Sequence, residues 1–265
     1  MQGWQDDPVA DGTADDDLHL ALEVAVAASR LALTYFERAL ETSVKDDGTI
    51  VTEADHAVES LLRERLATHR PGDAILGEEG GSTGSGTRRW ILDPIDGTRH
   101  FVAGRSDWGV HVALEADGEL VLGIVTRPTQ STIWWARRTA GAYRAALADP
   151  FDVDRLEVSS TDVLDGCRLT SWLDGDSGPY ERLEALPGWR PPMDLNAGLA
   201  VVEGTLDVLV ECSPARIWDR APYIVLVEEA GGQFHDLDGG RDPDASGCML
   251  TNGRLDGQIG LLLGR

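Results

Sequence analysis

Two aspartates stand three residues apart in the stretch WILDPIDGTRHF, which runs from Trp90 to Phe101. Asp93 closes an apolar run, and Asp96 follows it after Pro94 and Ile95. An apolar run that delivers an acid recurs in AILGEE with Glu78 and Glu79, in ARIWD with Asp219, and in TIVTEAD with Asp55. The end of a strand or helix holds side chains in fixed geometry beside a cleft. Carboxylates gathered there without partners repel one another at low effective dielectric, so metal ions are the natural counter-charge. All of these donors are oxygens, which suits a hard cation such as Mg2+, with Mn2+ or Ca2+ as competitors. The six histidines show no metal-ligand spacing.

The proline explains how the pair works. Pro94 biases Asp93 toward an extended backbone and fixes its own φ. The chain then turns, so Asp93 and Asp96 face one point instead of alternating. The kink also exposes the Ile95 carbonyl as a further oxygen ligand. Gly97 lets backbone amides approach an anion closely, and Thr98 caps the following segment or holds a water. Metal on one side and amides on the other describe a phosphate seat. Two other chemistries fail, one on spacing and one on the elements around it. An aspartyl-phosphate phosphatase needs acids at i and i+2, not i and i+3. GGSTG at 80–84 matches a serine-hydrolase pattern, but loop and strand follow it where a helix is required, so Ser82 reads as a loop residue.

These residues need elements to position them. Apolar residues at helical spacing predict a long helix over 17–41, with Asp15–Asp17 suiting its N-terminal dipole. Thr52 is the predicted N-cap of a second helix that starts near Asp55 and Glu59 and ends before Pro71. DAILGEEGG reads as a strand and turn, residues 80–86 as a flexible loop, and RRWILD as a buried strand. Successive strands follow over 108–146, with turns at Asp117-Gly118 and Arg127-Pro128. The second half alternates: strands at RLEVSS, CRLTSW, LDVLVEC and GCMLTN, and helices near 178–187, at LNAGLAVVEG, at WDRAPYIVLVEEAGG and at the C-terminus. The organisation expected is an acidic disordered tail over 1–16, an N-terminal α+β half over 17–146 and a C-terminal α/β half over 147–265, both halves in one compact unit. The segment 41–50 reads as a mobile loop.

The 265-residue chain carries a net charge of −23, which disfavours nucleic acid and anionic membranes as partners. No apolar run approaches the length of a membrane span, and the first residues lack a secretory signal pattern. Cys167, Cys212 and Cys248 have no paired spacing, which argues for a reducing compartment and a cytoplasmic location.

GEE at 77–79, DPIDGT at 93–98 and WDRAPYIVLVEEAGG at 218–232 together resemble the inositol monophosphatase superfamily of metal-dependent, lithium-sensitive phosphomonoesterases. The resemblance implies a layered αβαβα sandwich of the inositol monophosphatase and fructose-1,6-bisphosphatase type, a homodimer, and two or three Mg2+ per site, with Mn2+ possible. It implies that Glu78, Asp93 and the Ile95 carbonyl hold one ion, and that Asp93, Asp96 and Asp219 hold a second. Glu78, Thr98 and Asp55 would orient the attacking water, Glu79 and Lys45 would support it, and the Gly97 and Thr98 amides would bind phosphate. Glu211 corresponds to a substrate-hydroxyl contact. For Asp219 the alternative is a helix N-cap, a common role for aspartate.

Within the superfamily, RRWILDPIDGTRHFVAG, IWWARRTAGAYR and GCMLTNGRL resemble the histidinol-phosphate phosphatase branch. Asp194 matches an acid of that branch suited to a substrate amine, with a surface helix start as its equal alternative. Met193, Arg105, Asp107 and the proline-rich RPPMD depart from the family where specificity is set. The expected reaction is metal-dependent hydrolysis of a small phosphate ester, best L-histidinol phosphate. Inositol-1-phosphate, a related amino-cyclitol or sugar phosphate, and 3′-phosphoadenosine phosphate are alternatives. A different class, a non-catalytic metal- or phosphate-binding regulator, would be expected to have lost an acid; here all are present.

Overall fold

The computed structural model describes residues 12–38, 40–45, 48–173, 181–192, 196–212 and 215–264. Helix α1 (Gly12–Tyr35) leads into a hairpin, β1 (Thr42–Val44) and β2 (Ile50–Thr52), and then α2 (Glu53–His69). Strands β3 (Ala74–Gly77), β4 (Gly81–Thr83) and β5 (Arg88–Asp96) precede the short helix α3 (Thr98–Val102). A meander follows: β6 (Gly109–Ala116), β7 (Glu119–Arg127), β8 (Thr132–Arg137), β9 (Gly141–Ala146) and β10 (Asp149–Leu156). The remainder holds β11 (Leu169–Leu173), α4 (Glu181–Glu184), β12 (Trp189–Arg190), α5 (Ala197–Val202), β13 (Val208–Cys212), α6 (Ile217–Glu229), β14 (Gln233–Asp236), β15 (Cys248–Thr251) and α7 (Asp256–Leu262).

Side chains alternate across each strand, and the cores follow that alternation. From the eight-stranded sheet, ordered β10-β9-β8-β7-β6-β5-β3-β4, Trp90, Leu92, Val112 and Trp135 face α1 and α2. From the opposite face, Ile91 and Ala113 meet Ile217 and Ala221 of α6, while Val125 and Trp134 join the core that α5 and α6 share with Leu209 and Leu250. The five-stranded sheet, ordered β12-β11-β13-β15-β14, turns Val208, Val210 and Met249 toward α4 and α7. Five layers result: helices, sheet, helices, sheet, helices. This is the αβαβα sandwich expected.

Several boundaries move. Gly12–Asp16 are helical, so the acidic tail read over 1–16 stops short of them; residues 1–11 lie outside the described residues. Helix α1 ends at Tyr35, not 41, and the 41–50 loop is largely the β1–β2 hairpin. Residues 81–83 form a strand on β3 where the sequence predicts a loop, and it is not followed by the helix a serine nucleophile needs. The fifth strand of the meander, β10, sits at 149–156 and joins the first sheet, so that sheet extends past the 146 boundary. The helix near 178–187 is four residues, Glu181–Glu184, among the described residues. Ala14–Tyr35 is long and apolar enough, by length and composition alone, to cross a bilayer, contrary to the sequence reading. In the fold, its Ala21, Val24, Ala25, Ala28 and Ala32 are buried in the first core.

Candidate active site

The two acids of the opening motif meet because β5 is bulged. Asp93 lies opposite His111 of β6, and Asp96 lies opposite Gly109, so three steps on one strand match two on the other. In a regular strand residues three apart point to opposite faces; the extra residue turns Asp96 back to Asp93. Pro94 sits inside the bulge, where its missing N–H breaks no ladder bond. One carboxylate oxygen from each acid and a ring nitrogen of His111 lie within 4.8 Å of one another. Asp93 Oδ1 also accepts the Ile95 amide at 3.0 Å.

Gly97 then reverses the chain at φ +83°, a left-handed conformation that glycine adopts without a steric penalty. Thr98 follows, with its hydroxyl oxygen 3.1 Å from both Asp55 Oδ1 and the Ile95 carbonyl. Its single proton serves one of them at a time. Asp55 is fixed by the start of α2: its Oδ2 accepts the Thr52 amide at 2.8 Å and the Thr52 hydroxyl at 2.7 Å, while Thr52 Oγ1 caps the Ala54 amide. The predicted cap and the predicted site residue are thus one structure, a capping box.

Glu78 and Glu79 follow the end of β3. Lys45 Nζ bridges them at 2.7 and 2.6 Å. Behind them the buried Glu59 of α2 accepts the amides of Glu79 and Gly80 at 2.8 and 2.7 Å and pairs with Arg63. Asp219 comes from the other half. It is not the N-cap of α6 but its third residue, and its Oδ2 receives the Arg216 amide at 2.5 Å.

Electrostatics ties these acids together. Burial pushes the Asp93 carboxyl well above its usual range, and the nearby charges that add to the shift are Glu78, Asp96, Asp219 and Asp55. Burial likewise raises Glu78 against the pull of Lys45, and Asp55 against its bonds from Thr52 and Thr98. Asp219 is pushed up to about 7, by burial first and then by Asp96, Glu78 and Glu211, despite the Arg216 bond. The acids outnumber Lys45 and Arg127, the cations that touch them, and their oxygens fit a divalent ion.

Beside them opens a cavity of about 390 Å³. Asp96, Asp219 and Glu211 supply acid to its wall, and Trp172, Phe234 and Leu250 supply apolar surface. Glu211, from β13, lies 3.9 Å from Arg220 Nε and accepts the Cys248 thiol at 3.6 Å. Asp194 and Met193 lie outside the described residues.

Three residues at the site were missed in the sequence. Arg127, read only as a turn, is fully buried at the end of β7. Its guanidinium reaches Asp96 Oδ2 at 3.2 Å, Asn196 Oδ1 at 2.8 Å and the Tyr223 hydroxyl at 2.8 Å. Gly109 makes room for it, since a Cβ there would collide with the Thr126 carbonyl and the guanidinium. Tyr223 lines the cavity from α6. His111 places Nε2 3.4 Å from Asp96 Oδ2, although the histidines showed no ligand spacing. Burial pushes its ring down to about 4, so it is neutral at pH 7. The signal available was an imidazole inside the apolar run GVHVAL, one strand from the acids.

Residues 14–261 match the inositol monophosphatase family. The chain belongs to that family. It resembles a Streptomyces griseus protein named glucose-1-phosphate thymidylyltransferase, 42% identical and covering 94% of this chain and 96% of that one. The histidinol-phosphatase of Mycobacterium tuberculosis is 40% identical, with 92% of this chain and 96% of the relative covered. The solved structure of the extragenic suppressor protein suhB from Bartonella henselae superposes with a TM-score of 0.83 at 27% identity, covering 94% and 99% of the two chains. The family membership and the histidinol-phosphatase relatives make this chain a phosphoric monoester hydrolase of the inositol monophosphatase family, in its histidinol-phosphatase branch. Its substrate is accordingly a small phosphate ester.

Proposed function

We propose that this phosphatase hydrolyses L-histidinol phosphate with Mg2+ as the activating ion. The observation that carries the reading is the convergence of Asp93 and Asp96 from the first half with Asp219 from the second, beside a cavity that also holds Glu211. Glu78, Asp93 and the Ile95 carbonyl would hold one ion, and Asp93, Asp96 and Asp219 a second. When bound, such ions polarise a phosphoryl group and make a bound water nucleophilic at neutral pH.

The chain's own residues do the positioning. Glu78, kept in place by Lys45, and Thr98, backed by Asp55, orient the water for in-line attack. Glu79 shares the Lys45 cation and so supports Glu78. The Gly97 and Thr98 amides take the phosphate. In the cavity Glu211 offers a carboxylate to a substrate amine, and Trp172 and Phe234 offer aromatic surface to a flat ring. An aminoalcohol bearing an imidazole satisfies both, and three relatives at 35–40% identity are named histidinol-phosphatase. Acid and apolar wall together also suit an amino-cyclitol phosphate, the second reading, which relatives named inositol-1-monophosphatase at 30–32% identity support.

Phosphate release from a panel of L-histidinol phosphate, inositol-1-phosphate, amino-cyclitol phosphates and 3′-phosphoadenosine phosphate tests this. The first should give the highest kcat/KM. Preference for a cyclitol ester would move the assignment to the second reading. Divalent binding without turnover of any ester would make the chain a binding protein.

A further inference from the structure

We propose that His111 is a nitrogen ligand to a divalent ion held with Asp93 and Asp96, and that it strengthens binding of Mn2+, Co2+ or Zn2+ there relative to the Mg2+ that the acids alone would hold. The inference rests on the reading that these acids bind a divalent cation, and it adds a nitrogen donor to their oxygens. An all-oxygen site suits Mg2+, whereas an imidazole donor suits the first-row transition ions.

Four observations lead there. The ligand atoms of Asp93, Asp96 and His111 already lie within 4.8 Å of one another, close enough for one ion to contact all three. His111 is 1% exposed, and neither ring nitrogen closes a regular hydrogen bond among the described residues. Coordination would give the ring nitrogen on the side of the acids a partner. His111 Nε2 stands 3.4 Å from Asp96 Oδ2, an oxygen it shares with Arg127 Nη1 at 3.2 Å. That arginine is itself fixed by Asn196 and Tyr223.

The fourth observation concerns α6. Pro222 has no N–H, so the Trp218 carbonyl lacks the donor it would meet four residues on in a regular helix. The Trp218 backbone instead faces the His111 ring and favours its protonated nitrogen. An imidazole set between a carboxylate cluster and a backbone carbonyl has the arrangement of a metal-bound histidine, whose second nitrogen donates to a carbonyl that fixes its tautomer. Tyr223 packs edge-on to the ring at 5.3 Å between centroids and holds its plane. One proline, needed for no step of the hydrolysis, thus supplies the support a ligand histidine requires.

The test is pulsed electron paramagnetic resonance on the full chain, stripped of metal and reloaded with Mn2+. A coupling from directly bound nitrogen is expected, changing to the 15N pattern when the protein is labelled with 15N-histidine. It should vanish in His111→Leu. Competition titrations should show Mn2+ bound about tenfold or more tighter than Mg2+ in the wild type, with most of that preference lost in the variant. The labelled wild type needs no substitution, so the test survives if the variant fails to fold. Bound Mn2+ showing only water and carboxylate couplings overturns the inference and leaves the phosphatase reading standing. A nitrogen coupling that persists in folded His111→Leu also overturns it. Absence of any Mn2+ binding, with no turnover under Mg2+, overturns both.

Discussion

Asp93 is 2% exposed and has other carboxylates as its nearest charged neighbours. Burial among like charges opposes folding at this position, a cost that the proposed metal role would offset, and two predictions belong to this scale. Asp93→Asn removes one buried charge from the cluster, so the metal-free variant should melt at or above the wild type at pH 8, while phosphate release falls by about a thousandfold or more. A loss of activity accompanied by unfolding would instead make Asp93 structural. The second concerns Asp219, whose folded value of about 7 lies above its ordinary 3.8. Between those values the folded chain holds a proton that the unfolded chain has lost, so the stability due to this group falls as pH rises through that window and is level above it. A metal ion must displace the same proton. Calorimetry should therefore show metal-free stability declining from pH 5 to pH 7, with apparent Mg2+ affinity rising over the same range. Affinity independent of pH would remove Asp219 from the ligand set.

At the scale of elements, the site depends on one irregularity in each. The β5 bulge aims Asp96, the α2 capping box fixes Asp55, and Pro222 in α6 frees a carbonyl beside His111. Gly109 is the most exacting of the supporting positions, because the backbone of Thr126 and the Arg127 guanidinium occupy the space of its missing Cβ. Gly109→Ala should cost about 1–3 kcal/mol in chemical denaturation, the usual penalty for overpacking a filled interior. It should also weaken metal binding, since Arg127 can no longer sit on Asp96. Unchanged stability would show that the β6–β7 pair yields more easily than its packing suggests.

At the scale of the molecule, two sheets share the α5–α6 layer, and the acids stand where that layer meets the first sheet. The second sheet is anchored away from the site by Asp207, fully buried, which accepts the Arg168 amide at 2.6 Å, pairs with its guanidinium at 2.7 Å and accepts the Ser159 hydroxyl. Although burial alone would raise this carboxyl, the bonds from Arg168 and Ser159 outweigh it and hold it below 3.8. Its contribution is complete above the unfolded value and is lost as pH falls through the folded one. Asp207→Ala should destabilise by about 2–3 kcal/mol near neutral pH, and the gap from wild type should narrow below pH 4. A gap that stays constant into acid would mean that the loss comes from packing alone.

Much of this was legible in the chain. Apolar alternation and helical spacing are local, so the order of elements, the Thr52 cap and the acid at the end of each apolar run follow from neighbouring residues alone. The layered fold and the acids proposed as metal ligands came with the motifs those runs carry. What the tertiary structure decided is which distant groups share a space. Arg127 reads as a turn residue until the bulge at Asp96 and the missing side chain of Gly109 bring it inside. His111 reads as an odd residue in a strand until register sets it across from Asp93 and α6, with Pro222 inside it, brings the Trp218 backbone to its ring. Register and cross-layer packing depend on contacts between residues far apart in the chain, and no local pattern encodes them.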